Sequence, residues 1–126
     1  MVLIFGGAYQ GKLEYALENF NLSENDVFYC KEEASLDLSS KVIYGLESFV
    51  MGCVKEGLEA REILSEYGSA LEDKIIIVTD ISQGVVPIDP VQRSWREMVG
   101  RTMLYLGEKA EKVIRVFCGL GQEIKG

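Results

Sequence analysis

Apolar residues gather in five short runs separated by stretches of helical spacing. The runs lie at residues 2–5, Val27–Tyr29, Val42–Tyr44, Ile75–Thr79 and residues 113–118. Several are continuous rather than alternating, as strands covered on both faces of a sheet should be. Between them, residues 12–20, 46–67 and 91–106 place apolar side chains three and four apart, which predicts helices. Leu13, Ala16, Leu17 and Phe20 form the stripe of the first helix. Leu46, Phe49, Val50, Cys53, Ala60 and Leu64 mark the inner face of the second, and Glu59, Glu62 and Glu66 its watered side. Gly52 and Gly57 weaken that second helix and offer two places to break it. Strand and helix alternating in this way predict an α/β fold, with a mainly parallel sheet and helices packed on it.

The first strand runs directly into Gly6-Gly7-Ala8-Tyr9-Gln10-Gly11-Lys12 and then the first helix. Gly6, four residues, Gly11 and Lys12 match a phosphate-binding loop up to its last position, where Leu13 stands in place of Ser or Thr. Such a loop works mainly through its backbone. Glycines let successive N–H groups turn toward an anion at a helix N-terminus, and the lysine reaches the outer phosphates. The missing hydroxyl normally ligates Mg²⁺, so its loss should harm phosphoryl transfer more than binding. The candidate nucleotide-binding residues are therefore Gly6, Gly7, Ala8, Tyr9, Gln10, Gly11, Lys12 and Leu13, with Lys12 catalytic if the protein is an enzyme. Two other readings of the same residues stand beside this one. The glycines can serve only a tight strand-to-helix turn. Gly6-x-Ala8-x-x-Gly11, with Glu32 and Glu33 about 20 residues later, is also a loose dinucleotide fingerprint that lacks its second glycine and leaves Lys12 unexplained.

A second polar stretch follows the fourth strand. Asp80, Ser82 and Gln83 sit at a strand's carboxyl end, where parallel sheets place ligand contacts, with Gly84 giving freedom to turn and Pro87 and Pro90 stiffening the exit. A rigid connection with Asp89 near the next helix start explains the same residues equally well. Glu32, Glu33 and Asp37 read as a solvated loop.

At 126 residues, the chain fits one domain, residues 1–126, that can bury a core without metal or disulfide staples. A net charge of −7 excludes a broad basic face for nucleic acid, although a small phosphate ligand needs only local amides and one or two cations. Lys12 is the first such cation, with Arg93, Arg96 and Arg101 in reserve. Cys30, Cys53 and Cys118 are odd in number, far apart and in apolar surroundings, so buried free thiols are expected. With no histidine and no paired cysteines, a zinc site has little to build from. No apolar run is long enough to span a bilayer, and the start of the chain lacks the basic lead-in of a signal peptide, so a cytoplasmic location is expected.

Two blocks resemble the bifunctional adenosylcobinamide kinase and adenosylcobinamide-phosphate guanylyltransferase family of cobalamin biosynthesis. Ile4-Phe5-Gly6-Gly7-Ala8-Tyr9-Gln10-Gly11-Lys12 is similar to that family's opening strand and Gly-Gly-Ala-x-x-Gly-Lys-Ser loop. Val78 to Pro87, with Gln83-Gly84-Val85-Val86-Pro87 in register, is similar to its later strand and Gly-x-Gly-Ile-Val-Pro loop. Trp95-Arg96-Glu97, Gly100-Arg101 and Cys118-Gly119-Leu120 leading to Lys125 extend the likeness, which covers roughly the first 20 and last 50 residues. The resemblance implies a P-loop NTPase-like three-layer fold, ATP or GTP as phosphoryl donor with Mg²⁺, a corrinoid acceptor and a homo-oligomer. Glu47 then joins Asp80, Ser82, Gln83, Gly84, Arg96 and Arg101 as a candidate substrate or metal residue. The departures are specific. The family's guanylyl transfer passes through a histidine, and this chain has none. Its kinase chemistry expects a hydroxyl where Leu13 stands and an acid after the third strand, where none occurs before Glu47. The chain is also shorter through its middle. The expectation is a trimmed relative that holds nucleotide with impaired chemistry.

Overall fold

The computed structural model describes residues 1–81 and 89–126, and the Ser82, Gln83 and Gly84 candidates lie outside them. The elements in chain order are β1 (Val2–Gly6), α1 (Lys12–Asn19), β2 (Val27–Tyr29), β3 (Val42–Tyr44), α2 (Leu46–Glu56), α3 (Ala60–Tyr67), β4 (Ile75–Thr79), α4 (Pro90–Lys109), β5 (Lys112–Phe117) and β6 (Leu120–Lys125). Six strands form one sheet in the order β2-β3-β4-β1-β5-β6. Every neighbouring pair is parallel except the antiparallel β5–β6 hairpin. The fold is therefore α/β with a mainly parallel sheet.

Strand side chains alternate between faces, and two separate cores follow. Leu3, Ile43, Ile76, Val78 and Val113 meet Leu46, Phe49, Val50, Cys53, Ala60, Leu64, Met98, Val99 and Leu106 of α2, α3 and α4. On the other face, Ile4, Val42, Ile75, Ile77, Ile114 and Val116 pack with Ala16, and with the partly buried Leu13 and Phe20, of α1. Leu13 is thus part of the helix's inner stripe. Helices cover both faces, which explains why the central strand Ile75-Ile76-Ile77-Val78 has no polar alternation: all four residues are buried.

The second predicted helix is two helices, α2 and α3, and the break is at Gly57 (φ +70°), which caps α2 in the left-handed conformation. Gly52 does not break the helix. A Cβ there would lie 2.5 Å from the backbone of Glu33, so this glycine lets the 31–33 turn rest on α2. Glu32 and Glu33 are exposed as expected, and Glu32 pairs with Lys55. Asp89 caps α4, its Oδ1 accepting the Val91 N–H at 2.8 Å, with Pro90 in the first turn.

Three expectations are corrected. The last strand ends at Phe117, and the chain turns through Cys118 (φ +51°) and Gly119 (φ +75°) into β6, whose residues are all exposed. Cys118 is consequently exposed, whereas Cys53 is buried and Cys30 partly so. Glu59 is not turned wholly to water: it precedes α3 in extended conformation and its carboxylate takes both Nε (3.3 Å) and Nη2 (3.0 Å) of Arg101 on α4.

Ala usually stabilises a helix over Gly by about 1 kcal/mol. Gly100 has open space around its Cβ position, so Gly100→Ala should raise the urea midpoint. Gly52→Ala should instead cost about 1–3 kcal/mol through overpacking against the 32–33 backbone. Equal effects at the two sites in urea titrations would contradict this packing.

Candidate functional site

The glycine loop spans the end of β1 and the start of α1. Asp80 N–H donates to the Gly6 carbonyl (2.8 Å), extending the β1–β4 ladder to the loop's first residue. A Cβ on Gly6 would stand 2.4 Å from the Val116 carbonyl oxygen, so no larger residue fits between β4 and β5 there. Tyr9 (φ +60°) and Gly11 (φ +81°) are left-handed, and such turns aim successive amides into a concavity. α1 begins with no side-chain cap, which leaves the first-turn N–H groups to face the loop. Two bonds brace the loop from the far side. The Gln10 Oε1 accepts Cys118 N–H (2.7 Å) and the Gln10 carbonyl accepts Gly119 N–H (2.8 Å). The β5–β6 turn therefore supports the loop, a role invisible in the linear sequence.

Lys12 is 4% exposed and its ammonium donates to the Gly7 carbonyl at 2.7 Å. Burial lowers its pKa below the ordinary lysine value, and Glu47 and then Glu14 oppose that shift. One neutral carbonyl is modest compensation for an enclosed cation.

The loop opens on a cleft of about 640 Å³ whose walls are residues 8–14, Tyr29, Tyr44, Glu47 and Thr79. Glu47 is fixed at three points. It lies in the first turn of α2, its Oε1 accepts Thr79 N–H at 2.9 Å, and its main-chain carbonyl accepts Trp95 Nε1–H at 2.7 Å. The end of β4 and the first half of α4 thus meet α2 at this one residue beside Lys12. Tyr29 and Tyr44, paired in register at the ends of β2 and β3, pack edge to face with centroids 5.5 Å apart. Burial raises the pKa of both phenols. At Tyr29 the hydrogen bond to Glu24 adds to it, and at Tyr44 the charge of Glu47 does. Cys30, next along from β2, is pushed up to about 12 by burial and by Glu47, which makes it an inert thiol.

The other candidates lie elsewhere. Asp80 and Arg96 line a separate, mostly apolar groove with Phe5, Met103, Leu104 and Ile124. Arg101 faces a third groove and is paired with Glu59. Glu32 and Glu33 lie past the β2 edge of the sheet, beside Gly52 and Lys55. Of the second group of candidates, then, Glu47 alone joins the loop's cleft among the described residues. Tyr29, Tyr44 and Thr79 are cleft residues that sequence reasoning passed over. Their signal was position, since each closes a predicted strand at its carboxyl end, where parallel sheets gather ligands.

Leu13 brings no hydroxyl to a Mg²⁺ ion, and Glu47 already engages Oε1 with the Thr79 N–H; in nucleotide sites such an ion takes most of its ligands from phosphates and water. The arrangement suits an anion held by backbone amides and one lysine, with a carboxylate and two phenols across from it. No helix among the described residues is long and apolar enough to cross a membrane. No protein-family model matches the chain, and no curated protein matches it.

Because Lys12 loses its proton at lower pH when folded than when unfolded, the unfolded state binds more protons between the lowered value and 10.5. Stability relative to Lys12→Met should therefore rise with pH in that window and be level below it. Paired urea titrations across alkaline pH read this difference, and a difference that falls with pH would contradict it.

Proposed function

We propose that the protein binds a nucleoside polyphosphate, ATP or GTP, on the loop of residues 6–13, as a chemically impaired relative of the adenosylcobinamide kinase and guanylyltransferase family. The observation that carries this reading is Lys12. A buried ammonium at the head of an uncapped helix, hydrogen-bonded among the described residues only to a carbonyl of its own loop, gains most from a phosphate. The amides of residues 8–13 supply the remaining donors. The dinucleotide alternative has less support. It needs its acidic residue after a strand adjacent to β1, whereas β3 and β4 separate β2 from β1.

Impairment rests on Leu13, which brings no hydroxyl, and on the absence of histidine. One observation favours residual kinase activity as a second reading: Glu47 stands in the cleft with Lys12 and could accept the proton of an acceptor hydroxyl. The corrinoid acceptor and the homo-oligomer follow from the resemblance alone. Phosphate transfer to adenosylcobinamide, abolished in Glu47→Gln, would establish the kinase reading. The absence of turnover with Mg²⁺ and either ATP or GTP would remove it.

Calorimetry should show ATP or GTP binding that Lys12→Ala weakens by about 1.5–3 kcal/mol, the loss of a charge-assisted contact. Wild-type affinity should also fade as pH climbs through the lowered pKa of Lys12, while the Lys12→Ala variant stays flat. Equal affinity in the two proteins would put the ligand elsewhere.

A further inference from the structure

The cleft has two chemically opposite halves. On one side are Lys12 and the loop amides. On the other are two tyrosine rings at 64° to each other, with carboxylates around them. Lys12 is the single cationic side chain among the cleft's lining residues, against Glu14 and Glu47. The Tyr29 hydroxyl donates a hydrogen bond to Glu24 at 3.1 Å, which places a further carboxylate at this ring. The phenols keep their protons, so they contribute no charge of their own near neutral pH.

The rings meet edge to face at 64° and form an aromatic corner whose electron-rich faces attract a cation, the more so beside carboxylates. Glu14 and Glu47 add negative charge that attracts a cation, whereas to an uncharged base they offer only hydrogen-bond acceptance. From this juxtaposition we infer that the Tyr29–Tyr44 corner is a subsite for an ammonium-type cation carried by the molecule that shares the cleft with the nucleotide. This inference deepens the nucleotide-binding reading and rests on it for the phosphate held at the adjacent loop. It assigns Tyr29 and Tyr44 as specificity residues that choose the second ligand by its positive charge.

The test uses the whole protein, with pyrophosphate as probe of the loop, choline as probe of the corner, and 3,3-dimethylbutanol as the uncharged isostere of choline. Tyrosine ring resonances are followed by NMR. Choline should shift the Tyr29 and Tyr44 rings saturably and bind at least about tenfold more tightly than the isostere. Tyr44→Leu should abolish the choline response while pyrophosphate binding persists. Glu14→Gln, an exposed change that spares the fold, should weaken choline about two- to fivefold and decides the matter if Tyr44→Leu does not fold. Equal binding of choline and its isostere overturns the inference, and so do ring shifts produced by adenosine and not by choline. Pyrophosphate binding with no choline response overturns it and leaves the nucleotide reading intact. Choline binding without pyrophosphate binding keeps the cation subsite and overturns the nucleotide reading.

Discussion

The candidate site depends on how tightly β1 is held between its two parallel neighbours. Residues 2–6 pair with 75–79 of β4 on one side, and residues 2–5 with 112–115 of β5 on the other. That registry carries Gly6 against the Val116 carbonyl, where a side chain has no room, and brings Asp80 N–H to the Gly6 carbonyl. A strand fixed on both edges gives the following loop a rigid start. The two left-handed residues and the Gln10 bonds to the β5–β6 turn then determine its return into α1. The loop and its cleft lie in consequence at the carboxyl end of the central strands.

Electrostatics supplies the second half of the account. The chain is strongly acidic, with 20 Asp and Glu against 13 Lys and Arg, yet one lysine is enclosed at this point. Glu47 and Glu14 partly offset the cost of enclosing it and also place negative charge across the cleft. Glu47 belongs equally to the framework and to the chemistry, because its side chain closes the end of β4 and its backbone receives Trp95 from α4. A change there would loosen three elements together.

Much of this was legible in the sequence because burial on both faces leaves a mark. Val42–Tyr44 and Ile75–Thr79 are strands as read, since continuous apolar runs have few other stable uses. The parallel sheet was legible for the same reason, and α1 by its apolar stripe. Gly52 and Gly57 look alike in sequence and behave differently. One sits under a crossing backbone and the other in a left-handed cap, a distinction only tertiary packing makes. β6 left no pattern because Gly121, Gln122 and Glu123 form an exposed edge, and missing that hairpin also misplaced Cys118. Glu59 was misread because α3 starts after it, so helical periodicity did not apply. The tyrosine pair required knowing that β2 and β3 are neighbours in register.

We propose that main-chain amides at the head of α1, with Lys12, enclose a phosphate. An amide chemical-shift titration with pyrophosphate is the direct test. Saturable shifts largest for the N–H groups of residues 8–13 are expected. Shifts confined to other regions, or none at all, would contradict it.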